Sequence, residues 1–325
     1  MRKLIWAGVV MVMLWCGYWA AATYAIRTGV TQGITDAARD GGFAVPTVTM
    51  AGFPTTFDIS LGALDVADPA SGIRWQSAGV QAQAAAWQPW HVNILPAPAQ
   101  TLILPDQTIT LTAADLRGSL TVAPNRHLDL QHVTTTIVQP VIASSLGWGA
   151  RGDLAEVKIA AKEGAPGSYD VTLVAENMGP DASLAALIGT DTPISRIDLA
   201  GSAVFAHPLG PMADPTMQRL MAVNVGNLRM VWGQVTFDLT GGIVANAGGL
   251  AEGRFDIAVQ NWRSLIPALV AAGVIKPEVA PTITGFLNAV AAQSGDPDLL
   301  QLPLIYANGR GALGPLPLGP APRLN

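Results

Sequence analysis

The chain has 325 residues, enough for one large domain or two of ordinary size. Only 13% are charged, about half of the ~25% usual in soluble proteins, and mean hydropathy is +0.36, which excludes intrinsic disorder. The formal charge of −5 and the absence of any basic run longer than Arg2-Lys3 exclude a nucleic-acid footprint.

The first predicted element is a helix over 4–22, which carries no charged residue. At about 1.5 Å per residue it covers roughly 28 Å, close to the hydrocarbon thickness of a bilayer. Arg2 and Lys3 precede it, Trp6 lies near its start, and Trp15, Tyr18, Trp19 and Tyr24 cluster near its end, as in an aromatic belt. Residues 1–23 are therefore expected to form a single-pass transmembrane anchor with a cytoplasmic N-terminus and everything after Ala22 outside the cytoplasm. A cleaved signal peptide is the competing reading, because Ala20-Ala21-Ala22 offers small residues for processing. The apolar run is longer than a signal core, and Tyr18 and Trp19 crowd that site, so retention is expected. Cys16 is the only cysteine, which excludes an intramolecular disulfide; Trp15 before it argues against lipidation.

Residues 24–45 read as a helical stem ended by Gly41-Gly42. From residue 46 to 325 the period changes to two and a β-rich domain is expected. Gly52-Phe53-Pro54 breaks a first pair of strands. Thr101–Leu104 and Thr108–Thr112 flank Pro105-Asp106, followed by strands over Leu116–Val122 and His127–Ile137. Glu156–Ala161, Tyr169–Ala175, Ile194–Ala206, Leu228–Leu239 and Gly253–Val259 continue the series. Apolar residues at helical spacing before Gly273 and before Gly295 predict a helical hairpin at about 262–294. A last strand over Leu302–Ala307 precedes a Gly/Pro-rich tail, 309–325, expected to be an extension. The fold class is thus α+β, mainly antiparallel: an anchor, then a large curved sheet with the hairpin packed on it. Asp115-Leu116-Arg117-Gly118-Ser119 and Asp198-Leu199-Ala200-Gly201-Ser202 share one pattern, which duplication would explain but which is short enough to recur by chance in a Gly/Ala-rich chain, the favoured reading.

No catalytic, cofactor or metal site is expected. His91, His127, His132 and His207 show no metal-ligand spacing. His127 to His132 places two imidazoles around Asp129, but on a strand His127 and His132 face opposite sides. Gly309-Arg310-Gly311-Ala312-Leu313-Gly314 matches the dinucleotide fingerprint formally, yet Pro315, Pro317, Pro320 and Pro322 deny it the helix that binds pyrophosphate. The phosphate-loop and nucleophile-elbow patterns are missing. Asp58, Asp129, Lys158, Asp170 and Asp238 alternate with apolar neighbours, as outward-facing residues do. Trp75, Trp87, Trp90, Trp148, Trp232 and Trp262 read as core or rim packing before they read as a ligand groove. The positive signal is apolarity: strands such as Thr101–Leu104 and Ala200–Phe205 look greasy on both faces, so helices, a partner or lipid must cover the second face.

Gly17-Tyr18-Trp19, Gly52-Phe53-Pro54, Trp232-Gly233, Asn261-Trp262, Ala272-Gly273 and the ending Leu313-Gly314-Pro315-Leu316-Pro317-Leu318-Gly319 follow one another across nearly the whole chain. In that order and spacing the sequence resembles the bacterial domain of unknown function 2125 family. The resemblance implies an inner-membrane-anchored, periplasmic protein of Gram-negative bacteria and supplies no catalytic residues. In style the chain is also similar to the AsmA-like envelope proteins implicated in lipid handling, although it is much shorter. The expected function is non-enzymatic: binding lipid or another amphipathic ligand in an apolar groove of the sheet, with no cofactor. The alternative is an envelope scaffold acting through protein contacts at the hairpin or tail. An exported hydrolase finds no support, since no nucleophile and base stand together.

Overall fold

The computed structural model describes residues 2–39, 47–68, 72–211, 213, 217–292 and 295–324, with the backbone alone for 2–9, 30 and 32–39. Strands dominate, and they divide between two compact units.

The first unit comprises residues 1–121 and 144–146. It opens with helix α1 (Arg2–Arg39), which merges the expected anchor and most of the expected stem into one helix. The proposed stop at Gly41-Gly42 lies outside the described residues. Nine strands follow: β1 (Val48–Ala51), β2 (Thr56–Leu61), β3 (Leu64–Asp68), β4 (Ile73–Ser77), β5 (Val80–Ala85), β6 (Gln88–Pro96), β7 (Ala99–Ile103), β8 (Thr108–Thr112) and β9 (Asp115–Val122). They pair antiparallel as β1-β2-β5-β6-β9 and as β3-β4-β7-β8.

The breaks between β2 and β3, β4 and β5, β6 and β7, and β8 and β9 are each two residues long and fall at one level. Hydrogen bonds across them, Ala97 N to Gly79 O and Ala113 N to Pro98 O, carry the ladder through the bend. Small residues at the breaks permit it: Gly62-Ala63, Ala78-Gly79, Ala97-Pro98 and Ala113-Ala114. Phe57, Leu64, Ala84 and Ala86 are buried. Buried Gln100 is satisfied by Ser77 Oγ at 3.1 Å and by the indole of Trp75 at 3.0 Å.

The second unit comprises residues 122–143 and 147–325. Its strands are β10 (Leu130–Val138), β11 (Val141–Ser144), β12 (Gly149–Arg151), β13 (Leu154–Ala161), β14 (Ser168–Pro180), β15 (Ile194–Phe205), β16 (Leu220–Trp232), β17 (Val235–Ala245), β18 (Ala251–Gln260), β19 (Leu299–Ala307), β20 (Arg310–Leu313) and β21 (Leu316–Pro320). Ten of them form one antiparallel succession, β10-β13-β14-β15-β16-β17-β18-β19-β20-β21.

Helix α2 (Ala182–Ile188), unforeseen in the sequence, is capped by Asp181, whose side chain accepts from Leu184 N–H, and closed by Gly189 in the left-handed region. The expected hairpin is present as a 3₁₀ turn over Trp262–Ser264, α3 (Leu265–Ala271) and α4 (Ala280–Ala292).

Three expectations need correction. Leu228–Leu239 is not one strand: Gly233 at φ 58° and Gln234 turn β16 into β17. His127 to Asp129 precede β10, because Asn125 Oδ1 accepts from the backbone N–H of both residues and holds a turn. The tail beyond Gly309 pairs back as β20 and β21 and extends the sheet; prolines at a sheet edge forfeit no ladder partner. The Gly309–Gly314 pattern therefore closes two strand turns, with Gly309 at φ 72° and Gly314 at φ 54°.

Glycines tighten the sheet where β17 meets β18. Gly241 sits at φ 124°, and a Cβ there would overlap the carbonyl oxygen of Arg254. Gly241→Val is expected to destabilise the unit by at least ~1–3 kcal/mol, the usual cost of such backbone strain, read as a lower urea midpoint.

Candidate functional site

Residues that are Cα partners across an antiparallel pair share a face, so the register sorts the two faces of the second unit's sheet. One row runs Thr135, Val157, Leu173, Leu199, Leu228, Leu239, Ile257, Leu302 across eight strands. Beside it runs Ile137, Ala155, Ala175, Ile197, Met230, Phe237, Val259, Leu300. On the other side lie Val133, Ile159, Val171, Gly201, Val225, Gly241, Phe255 and Leu304. Three adjacent apolar rows thus cross the sheet perpendicular to its strands. At ~4.8 Å per strand, each is about 34 Å long.

The hairpin covers one end of this face. Trp262, 2% exposed, packs with Val235, Val259, Ala291 and Leu300, and Leu265, Ile266, Leu287 and Val290 join them. Ile243, Ala251 and Phe255 make a second cluster with Val223, Val225 and Leu239. Towards β13, β14 and β15 the rows continue outside either cluster: Ile159, Val171, Leu173, Ile197 and Leu199 are half-buried.

The opposite face is ionic. Glu156 pairs with Lys158, Arg196 with Asp198 and Glu176, Arg229 with Asp238 across β16 and β17, and Arg254 with Asp256. Asp198, and then Glu176, hold the Arg196 guanidinium above its ordinary range. The expectation of a sheet greasy on both faces is therefore corrected for this unit. Ala200 and Ser202 in β15 point to the ionic side and carry too little apolar surface to make it greasy. A recess of about 630 Å³ is lined by Asp238, Thr240, Arg254, Asp256 and Gln301 together with Ile257, Leu302 and Val290 of the apolar side, with no histidine, serine or cysteine among its residues.

Tyr169, near the start of β14 on the apolar face, is 2% exposed, stacks edge-to-face on Phe205 at 6.1 Å and accepts the Leu209 N–H at 2.8 Å. Burial pushes its hydroxyl above the ordinary value of 10.0 against the opposing effect of that hydrogen bond. The folded state therefore holds the proton more tightly. The associated stability is complete below about pH 10 and is lost as pH rises towards the folded value. Tyr169→Phe is expected to cost ~0.5–1.5 kcal/mol at neutral pH through the orphaned Leu209 N–H. The variant should also lose less stability than the parent between pH 10 and 11, as thermal melts would show.

The N-terminal helix meets the first unit through aromatic side chains. Trp15 Nε1 donates to Pro54 O at 3.0 Å, Tyr18 OH to Ala86 O at 2.9 Å and Trp19 Nε1 to Thr56 O at 3.1 Å. Trp19 stacks on buried Phe57 at 5.8 Å and meets Phe53 edge-on at 5.2 Å. Before this dock, five successive residues, Val10 to Leu14, are 51% to 74% exposed, so apolar surface faces outward all round the helix. An apolar recess of about 790 Å³ lies between helix and turn, lined by Leu14, Trp15, Cys16, Tyr18, Phe53 and Pro54 among others.

Among the described residues, no helix is long and apolar enough to cross a membrane. The expected span 4–22 lies within α1, whose residues 2–9 are described by backbone alone. The second half of that span contains the three docked aromatics, which lower its hydropathy and bind turns of the β-rich unit.

Of the four histidines, His91 Nδ1 lies 2.8 Å from Thr121 Oγ1, while His127, His132 and His207 are exposed. Among the described residues no group of three His, Cys, Asp or Glu could hold a metal ion. The tryptophans divide. Trp262 is core, the indoles of Trp75 and Trp232 are bonded to Gln100 and to the Thr192 carbonyl, and Trp87 is 63% exposed. Sequence reading missed the alignment of the three rows, which no local pattern reveals.

No curated protein and no solved structure matches the sequence. A family model described as "Uncharacterized protein conserved in bacteria (DUF2125)" matches residues 19–322. With nearly the whole chain matched in sequence, and with the strand order just described running through that match, the chain belongs to this family.

Proposed function

We propose that this chain is a non-enzymatic, membrane-held protein that binds lipid, or another amphipathic molecule, along the apolar rows of the second unit. The observation that carries the reading is the half-buried stretch of those rows on β13, β14 and β15, backed by an ionic face on the reverse. A row about 34 Å long exceeds one acyl chain, which reaches roughly half of a ~30 Å hydrocarbon core. A side-by-side set of aliphatic rows offers dispersion contacts along the whole of such a chain and asks for no hydrogen bond from it.

The same reading places α1 at the bacterial inner membrane, with its N-terminus cytoplasmic and the bulk of the chain periplasmic. Support comes from Arg2-Lys3 ahead of a charge-free run. It comes also from the all-round exposure of Val10 to Leu14, a pattern that water penalises and lipid does not. Deleting residues 2–14 is expected to move the protein from a carbonate-washed membrane pellet to the supernatant; an unchanged distribution would reject the anchor.

For the ligand, the test is photo-crosslinking of the full chain with a phospholipid carrying a diazirine in its acyl chain. Adducts should map by mass spectrometry to β13, β14 and β15; adducts confined to α1 would reject the groove. The alternative, an envelope scaffold, draws on β21, whose residues are all exposed and which among the described strands pairs with β20 alone. Its prediction is a defined protein crosslink in cells that disappears when residues 316–325 are deleted.

A further inference from the structure

We infer that two turns of the first unit, Gly52–Thr55 and Ala86–Trp87, enter the membrane interface together with α1, so that this unit rests on the bilayer instead of standing off on a stem. The inference rests on the membrane reading of α1 proposed above and adds which part of the β-rich unit the lipid touches.

If the dock at Trp15 stood clear of the bilayer, only residues 4–14 would remain for the hydrocarbon. Eleven helical residues reach roughly 17 Å, about half of a ~30 Å core. Burying the whole charge-free run to Ala22 brings Trp15, Tyr18 and Trp19 to the interface or below it. The turns they grip must come with them: Trp15 holds Pro54 O, Trp19 holds Thr56 O and Tyr18 holds Ala86 O. The two turns are themselves joined, since Ala86 N–H donates to Thr55 O at 2.9 Å.

What the turns present fits that position. Phe53 is 56% exposed and Trp87 63% exposed, both large rings at the tips of tight turns, and no charged residue lines the recess between Phe53 and the helix. On α1 the first charged residue after the run is Arg27, two helical turns beyond Trp19. Aromatic rings with indole or phenol groups satisfied by backbone carbonyls are suited to the headgroup level, where one side is apolar and the other wet. A protein groove would have to enclose every side of Val10 to Leu14 at once; a bilayer does so without any specific shape.

The test uses the full chain in nanodiscs of phosphatidylethanolamine and phosphatidylglycerol, with Cys16→Ser removing the native thiol. Single cysteines at Val10, Phe53, Trp87 and, as a control in the other unit, Glu163 carry bimane. Lipids brominated near the headgroup and, in a second preparation, at mid-chain serve as quenchers. Bimane at 53 and 87 is expected to lose at least half of its emission to the headgroup-level bromine and bimane at 10 to the mid-chain bromine, while bimane at 163 loses none to either. Should Phe53→Cys disturb the packing on Trp19, exposed Thr55→Cys reads the same turn. Quenching at 10 without quenching at 53, 55 and 87 would overturn this inference and leave the anchor standing. No quenching at 10 would overturn both.

Discussion

Trp262→Ala is expected to destabilise the second unit by ~3–5 kcal/mol, the range for removing a fully buried large side chain. For a unit of this size the melting temperature should fall by roughly 10 °C. The indole fills the space between the hairpin and β17, β18 and β19, touching Val235, Val259, Ala291 and Leu300, and its Nε1 donates to Pro297 O at 3.3 Å. Arg263, 4.8 Å above the ring, ties the same corner to Asn288, Pro297 O and Asp298. Emptying the site leaves the hairpin without its anchor, so protease cleavage near residues 272–279 should accelerate before global unfolding. Trp262→Phe should recover part of the loss. An unchanged melting temperature for the alanine variant would mean that the hairpin does not close this core.

Leu173→Glu combined with Leu199→Glu is expected to reduce lipid adducts by at least tenfold while leaving the fold intact. The two leucines are Cα partners on β14 and β15, in the middle row, and both are half-buried. Paired carboxylates can reach water at such positions in the unliganded protein, but an acyl chain laid over them would have to desolvate both charges, at a cost well above the ~1.4 kcal/mol that each tenfold in affinity represents. Arg229→Gln, on the ionic face, is the control: it loosens an exposed pair with Asp238 at 3.7 Å and should leave adduct yield unchanged. Equal adduct yields in all three proteins would sink the groove.

Much of the architecture is legible in the residues. Period-two runs from Glu156–Ala161 and Tyr169–Ala175 become β13 and β14, and the helically spaced residues between Trp262 and Ala292 become the hairpin on the sheet. Where legibility fails, the cause is specific. Leu228–Leu239 reads as one strand because both arms of the hairpin are apolar and Gly233 is the one turn signal between them. His127 looks like a strand residue until the Asn125 side chain is seen to bond the backbone ahead of β10. Small residues such as Ala200 and Ser202 blur the distinction between faces that Arg196, Arg229 and Arg254 make plain once they stand on one side. The Trp15, Tyr18 and Trp19 cluster reads as an aromatic belt. The structure adds that its polar groups bind backbone 37 to 68 residues away.

The sequence alone determined the mainly antiparallel β class, the helical hairpin, the charge-free N-terminal run and the family, because each depends on residue types at short or fixed spacing. Only the tertiary structure decided that apolarity gathers in three rows on one face and that the N-terminal helix is bonded to two turns. Side-chain alternation is local, whereas a row is set by register between strands, and register is a property of the pairing, not of any one strand.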